Sequence, residues 1–195
     1  MHSSLSRQRG GVLIYTLIIL LVLTIGAVAL VRSMRTSLFS AGNLAFRRDL
    51  VNQGEKAVST VITEFTTGVF SSPTATQSDN PAANYSSTTL PTNAQGVPNA
   101  LLASSLPATV GSSANDLTGA TPDVTIRYVV DRLCSATGPS TGALCVQSSA
   151  APTGGTANST RGLPPPSATV YRLSVRVSGA RSTQVFLQTT FTKPD

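Results

Sequence analysis

Residues 11–31, GVLIYTLIILLVLTIGAVALV, are 21 consecutive residues without a charge. As an α-helix this run is about 31 Å long, the hydrocarbon thickness of a bilayer. Its apolar residues fall on every side of such a helix, whereas a helix on the surface of a soluble core needs only one apolar face. Tyr15, Thr16 and Thr24 do not oppose insertion, because hydroxyls can bond to carbonyls of the preceding turn. The run predicts one membrane-spanning helix.

Charge is placed accordingly. Arg7 and Arg9 precede the run, Arg32, Arg35, Arg47, Arg48 and Lys56 follow it, and no Lys or Arg then occurs before Arg127. The formal net charge of +6 therefore reads as the flanks of a membrane segment, not as a stripe for nucleic acid. Both flanks are basic, so the positive-inside rule does not settle orientation. The pair of cysteines and the Ser/Thr-rich remainder place the C-terminal part outside, in an oxidising compartment.

Composition narrows the chemistry. Charged residues are 11% of the chain, aromatics 5%, and the only His is His2. A His-containing triad or a His-based metal site cannot be assembled further along the chain, and two cysteines do not make a four-thiolate zinc site. The sequence reads as non-enzymatic, with no cofactor and no metal.

Beyond Val31 the apolar pattern changes without a break. Met34, Leu38, Ala41, Leu44, Val51, Val58, Ile62, Phe65 and Val69 recur at spacings of three, four or seven, and no Pro occurs in residues 11–72. This predicts a helix running to about Phe70, amphipathic over residues 32–70, although Gly26, Gly42 and Gly54 each weaken it by about 1 kcal/mol relative to Ala. Two kinds of processing compete. Ala27-Val28-Ala29 fits the small-x-small site of signal peptidase, which would release a soluble secreted protein. The alternative is a basic stretch and a Gly ahead of a helix that is kept. Because the helix continues as an amphipathic one, retention is preferred.

Arg7-Gln8-Arg9-Gly10-Gly11-Val12-Leu13-Ile14, followed by the apolar run from Leu17 to Thr24, resembles the start of the PilX-type type IV pilus assembly proteins, which are minor pilins. Ala41-Gly42-Asn43-Leu44 and Glu55 resemble parts of that family's helix. Near the C-terminus, residues 127–134 (RYVVDRLC) and 171–181 (YRLSVRVSGAR), with Thr183 and Gln188, are similar too. The likeness covers the first 65 or so residues and the last 70, and leaves the middle uncovered.

The resemblance implies residues 1–10 as a leader, removed by a prepilin peptidase between Gly10 and Gly11, with the new amino group commonly methylated. Tyr15 then occupies position five, where major pilins carry a Glu that neutralises the terminal amine of the subunit assembled before it. A buried ammonium is costly unless paired, so a subunit with Tyr15 fits where no earlier amine needs a partner, at the filament tip. The other reading of Tyr15 is a packing residue in a rarely incorporated subunit. Implied partners are other minor pilins, the major pilin, the prepilin peptidase and a bacterial inner membrane, crossed once with the C-terminal part in the periplasm. A type II secretion-like pseudopilin shares these features.

Residues 71–122 are mostly Ser, Thr, Ala, Pro, Asn and Gly, with Asp79 and Asp116 their only charges. Such a segment cannot build a sizeable core alone. It is either flexible or wrapped over the helix, with residues 99–105 (NALLASS) a candidate short helix. Strand signals begin at Val124. Val124, Ile126, Tyr128 and Val130 alternate with Thr125, Arg127, Val129 and Asp131, and Tyr171, Leu173, Val175 and Val177 alternate with Arg172, Ser174, Arg176 and Ser178. Residues 178–182 read as a turn, Val185, Leu187, Thr189 and Phe191 as a returning strand, and residues 154–166 as a loop. Cys134 and Cys145 enclose ten residues, SATGPSTGAL, whose Gly and Pro suit a tight excursion, and a disulfide there contributes about 3 kcal/mol in the chain-entropy model. Free buried thiols in a cytosolic protein are the alternative. Arg172 and Arg176 on one strand face, with Arg181 in the turn, form a candidate anion or DNA patch, although a solvated sheet face accounts for them more simply. The expected fold is α+β and pilin-like: a long N-terminal helix packed on a small antiparallel sheet over residues 123–195.

Overall fold

The computed structural model describes residues 11–149 and 167–194. Helix α1, Gly11–Thr66, is 56 residues long. The chain divides into two units within it, Met1–Phe46 and Arg47–Asp195. In the first unit every residue of α1 from Gly11 to Ala45 is exposed. In the second unit α1 packs on a small sheet, which makes the architecture α+β and pilin-like.

The helix stops at Thr66, short of Phe70. Thr60, Thr63, Thr66 and Thr67 each turn a hydroxyl back to the carbonyl four residues earlier, an arrangement that weakens the regular ladder. The Gly68 N–H then closes on the Thr63 carbonyl and the Phe70 N–H on the Glu64 carbonyl. A Cβ at Gly68 would lie 2.7 Å from the Glu64 Cα, so this turn admits only glycine. It folds Phe70 back onto Phe65, ring centroids 4.9 Å apart.

The buried stripe of α1 is Leu50, Gly54, Ala57, Val61 and Phe65. This corrects the stripe expected from hydrophobicity: Phe65 belongs to it, but Val51, Ile62 and Val69 are exposed and Val58 is half-buried. The sheet selects the apolar face that carries Gly54 and Ala57 at its middle. At Gly54 an added Cβ would stand 2.8 Å from Leu187 Cδ1 and 3.1 Å from Val177 Cγ2, so helix and sheet approach closely where a larger side chain would hold them apart.

The strands are β1 (Tyr85–Ser86), β2 (Leu117–Thr118), β3 (Thr125–Arg132), β4 (Gln147–Ser149), β5 (Ser167–Ser178) and β6 (Gln184–Pro194), and a short helix α2 is Asn99–Leu102. β5 is central, antiparallel to β3 and β4 on one side and to β6 on the other. β2 runs antiparallel to β3, but β1 is parallel to it, Tyr85 opposite Val130. The sheet is thus mixed, not purely antiparallel. The parallel pair exists because the segment after α1 crosses back along the outer edge of β3.

That segment is also why the expected alternation of burial fails. Ile126, Tyr128 and Val130, with their register partners Val177, Val175 and Leu173, face α1. On the other face Arg127, Val129 and Asp131 are buried as well. Residues 90–116 lie over them: Leu90 bonds to Asp131, Asp116 to Arg127, and Leu90, Ala100, Leu101 and Leu106 make a core with Val129. The Ser/Thr-rich segment makes no core of its own; it borrows one face of the sheet. The expected loop at 154–166 lies outside the described residues.

Candidate functional site

Three groups of residues were singled out by the sequence: the start of α1, the cysteine pair and the arginines of β5 and its turn. Gly10 lies outside the described residues. Gly11 opens α1, and Tyr15 follows one turn later with 70% of its surface exposed. Around it, Val12, Leu13, Ile14, Leu17 and Ile18 are exposed too. Thr16 donates to the Leu13 carbonyl at 2.9 Å and Thr24 to the Leu20 and Leu21 carbonyls at 3.0 and 2.8 Å. The hydroxyls are thereby satisfied within the helix, leaving an almost wholly apolar outer surface. This helix is long and apolar enough to cross a membrane.

Cys134 and Cys145 are joined by a disulfide. Both are buried, and they face each other across an isolated antiparallel bridge beyond β3. The enclosed loop is held from inside by Arg132, fully buried, whose Nη2 donates to the Gly138 carbonyl at 2.7 Å and whose Nε donates to the Ser87 carbonyl at 3.1 Å. Arg132 Nη1 has no hydrogen-bond partner among the described residues. Arg132 therefore ties the end of β3 to both the loop and the connecting segment. Among the described residues, no three His, Cys, Asp or Glu side chains gather at metal-binding distance.

Arg172 and Arg176 do not form a solvated face or an open anion patch. Arg172 grips Asp131 with two bonds, Nε to Oδ1 at 3.0 Å and Nη2 to Oδ2 at 2.5 Å, and also donates to the Leu90 carbonyl. Asp131 has no solvent exposure, and its Oδ2 accepts from the Leu90 N–H as well. Arg176 is buried and donates through Nη1 to the carbonyls of Leu101 and Ala103 at 2.5 and 2.9 Å. Burial lowers its pKa, and the guanidinium of Arg127, its partner across the strands, lowers it further. Arg127 in turn is neutralised by Asp116, at 2.6 Å. Only Arg181 is exposed, in a tight turn where it adopts a left-handed conformation, φ 56°. The arginines are clamps that hold the connecting segment to the sheet.

Sequence reasoning missed Asn84, Arg127 and Arg132 as anchors. Asn84 is fully buried in a left-handed conformation. It donates to the Tyr128 carbonyl and accepts from the Ser112 N–H and the Asn115 side chain. Its neighbours lie 28 to 44 residues away along the chain, so no local pattern marks it. For Arg127 and Arg172 a signal existed in the opposite-charge residues Asp116 and Asp131, but pairing them requires the strand register. No family model matches the chain, and no curated protein or solved structure matches it at a significant level.

Proposed function

We propose that this chain is a non-catalytic filament subunit, a minor pilin that takes part in type IV pilus assembly, at the tip or in the complex that primes it. The observation that carries the reading is α1 itself. One helix, Gly11–Thr66, is apolar and exposed on all sides over residues 11–31 and becomes the core of a folded domain from Leu50 onward. An apolar helix with its backbone bonds closed internally suits a bilayer. The same surface can exchange lipid for neighbouring helices, since helix association in lipid rests on packing. Arg32 and Arg35 then mark the membrane boundary, their stems reaching along the helix to water. The disulfide fits an oxidising periplasm.

Processing between Gly10 and Gly11 would leave Gly11 as the first residue and Tyr15 in place of a carboxylate. A phenol bears no charge to neutralise an incoming amine, which is the reason to place this subunit where no earlier subunit needs one. Its partners would be other minor pilins, the major pilin and the prepilin peptidase. A secretion pseudopilin would use the same geometry, and gene deletion separates the two machines. Loss of surface pili, restored when retraction is blocked, is expected for the pilus; loss of secretion points to the other.

The first test is intact mass and N-terminal sequencing of the protein from its native membranes. A start at Gly11, with or without a methyl group, is expected. A start at Leu30 would mean that the signal peptidase site after Ala29 is used, and it would overturn the filament reading.

A further inference from the structure

Charge is unevenly placed along this chain. Six of the 14 Lys and Arg, and none of the eight Asp and Glu, lie in residues 1–48, so the whole net charge of +6 sits there. Arg32 and Arg35 belong to this excess. Both are exposed on α1, and among the described residues neither guanidinium has a hydrogen bond or an ion pair. The first carboxylate along the chain is Asp49, 14 residues beyond Arg35, whereas an ion pair along a helix spans three or four. Arg127 and Arg172 differ, since each grips an aspartate.

Position along α1 and position around it both matter. By helical rise Arg32 and Arg35 stand about 1.5 and about 6 Å beyond Val31, where the uncharged run ends. The headgroup layer outside the hydrocarbon is roughly 5–8 Å deep on each side, so both arginines fall within it when residues 11–31 fill the bilayer. Leu21, Ile25, Val28, Arg32 and Arg35 follow at spacings of four, three, four and three, which keeps them on one face of the helix. All five are exposed. Cα–Cβ bonds in a helix tilt towards its N-terminus, so both arginine stems set out from the backbone towards the apolar run. Their Cβ atoms are about 5–6 Å apart, near enough for both guanidiniums to reach one phosphate. The face is an apolar strip about 10 Å long, closed at one end by two cations.

We propose that this face binds one anionic phospholipid of the surrounding leaflet. An acyl chain lies along Leu21, Ile25 and Val28, and the headgroup phosphate is held between Arg32 and Arg35. A guanidinium fits phosphate geometry, pairing with it through two parallel bonds. A zwitterionic lipid brings its own ammonium, which competes with the arginines for the phosphate, so a headgroup of net negative charge is selected. A second copy standing parallel in the same membrane does not serve, because at this level it presents its own arginines and no carboxylate. Such binding rests on residues 11–31 spanning the bilayer, as proposed above, and not on which filament the chain joins.

The probe is phosphatidylglycerol, with phosphatidylcholine of the same acyl chains as its zwitterionic counterpart. Each is titrated into the full-length protein in neutral maltoside micelles, and the arginine Nε–Hε resonances are followed by NMR. Arg32 and Arg35 are expected to shift at a mole fraction of phosphatidylglycerol about 25-fold lower than of phosphatidylcholine. Arg32→Gln and Arg35→Gln, both at exposed positions, are each expected to cost about fivefold of that preference. Arg32→Lys with Arg35→Lys is expected to keep the anionic lipid ahead, because the charges remain. An equal response to the two lipids would overturn the proposal. So would shifts at Arg181 without shifts at Arg32 and Arg35, or a preference that survives both glutamines together. The same shifts on adding inorganic phosphate without lipid would show that a free anion suffices, and would overturn the assignment to a lipid. A mature start at Leu30 overturns the filament reading and leaves this titration of the full-length protein standing, so the two fail separately.

Discussion

Asp131 is the residue on which most depends. It is fully buried, neutralises Arg172 and accepts from Leu90. Removing one member of a buried pair leaves the other charge uncompensated, which typically costs about 3–5 kcal/mol. Asp131→Ala is therefore expected to lower the denaturation midpoint sharply, measured on the detergent-solubilised chain, whereas Arg181→Ala on the exposed turn leaves it unchanged. Tyr85 and Tyr128 carry a pH dependence. Burial raises both pKa values above the ordinary 10.0, with Tyr171 adding to the shift at Tyr85 and Glu64 and Asp116 to that at Tyr128. A raised folded-state value means that the neutral phenol is favoured: stability is full below about pH 10 and falls as pH rises above it. Unfolding midpoints compared at about pH 8 and about pH 11 are expected to drop in the native chain and to drop less in Tyr85→Phe with Tyr128→Phe. At neutral pH, Tyr85→Phe loses the bond to the Thr76 carbonyl, worth about 1 kcal/mol. None of these roles could be read from the chain. Asp131, Arg172 and Arg176 sit at the positions of a period-two pattern that faces water in a two-layer fold, and here a third layer covers them.

At the level of elements, α1 shows both how far periodicity reaches and where it stops. Its existence and approximate length follow from the absence of proline and from the apolar spacing. Which residues point inward does not, because hydrophobicity favours Val51, Val58 and Ile62, while close packing favours Gly54 and Ala57. Gly54→Val tests this. Its side chain must enter space held by Val177 and Leu187, and overpacking costs about 1–3 kcal/mol, so a lower thermal midpoint is expected. Ile62→Val, on the exposed flank, is expected to leave the midpoint unchanged. The disulfide loop is a second separable element. Its ends are 11 residues apart, and opening it removes about 3 kcal/mol in the chain-entropy model. Cys134→Ser with Cys145→Ser should show that loss in denaturant titration.

For the molecule as a whole, the exposed surface of residues 11–31 decides where the chain can exist. No charged group interrupts it, and a contiguous apolar surface of this extent is not tolerated in water. The full chain is expected to stay with membranes through alkaline carbonate washing, and a chain beginning at Leu30 to leave them; sedimentation reads the difference. Length, charge placement and apolar periodicity are local properties of the chain, so they alone dictate the long apolar helix, its continuation and the three principal strands; they leave the two cysteines either paired or free, and the fold joins them. What lies over the sheet is another matter. The placing of residues 84–104 rests on hydrogen bonds that join Asn84, Leu90, Leu101 and Ser104 to Tyr128, Arg172, Arg176 and Arg127, partners as much as 82 residues away. Such bonds exist only once the strands are in register. Tertiary structure therefore turned a polar connecting segment into a packed layer and a row of arginines into its clamps, because a buried charge is tolerable only where the fold has already placed its partner.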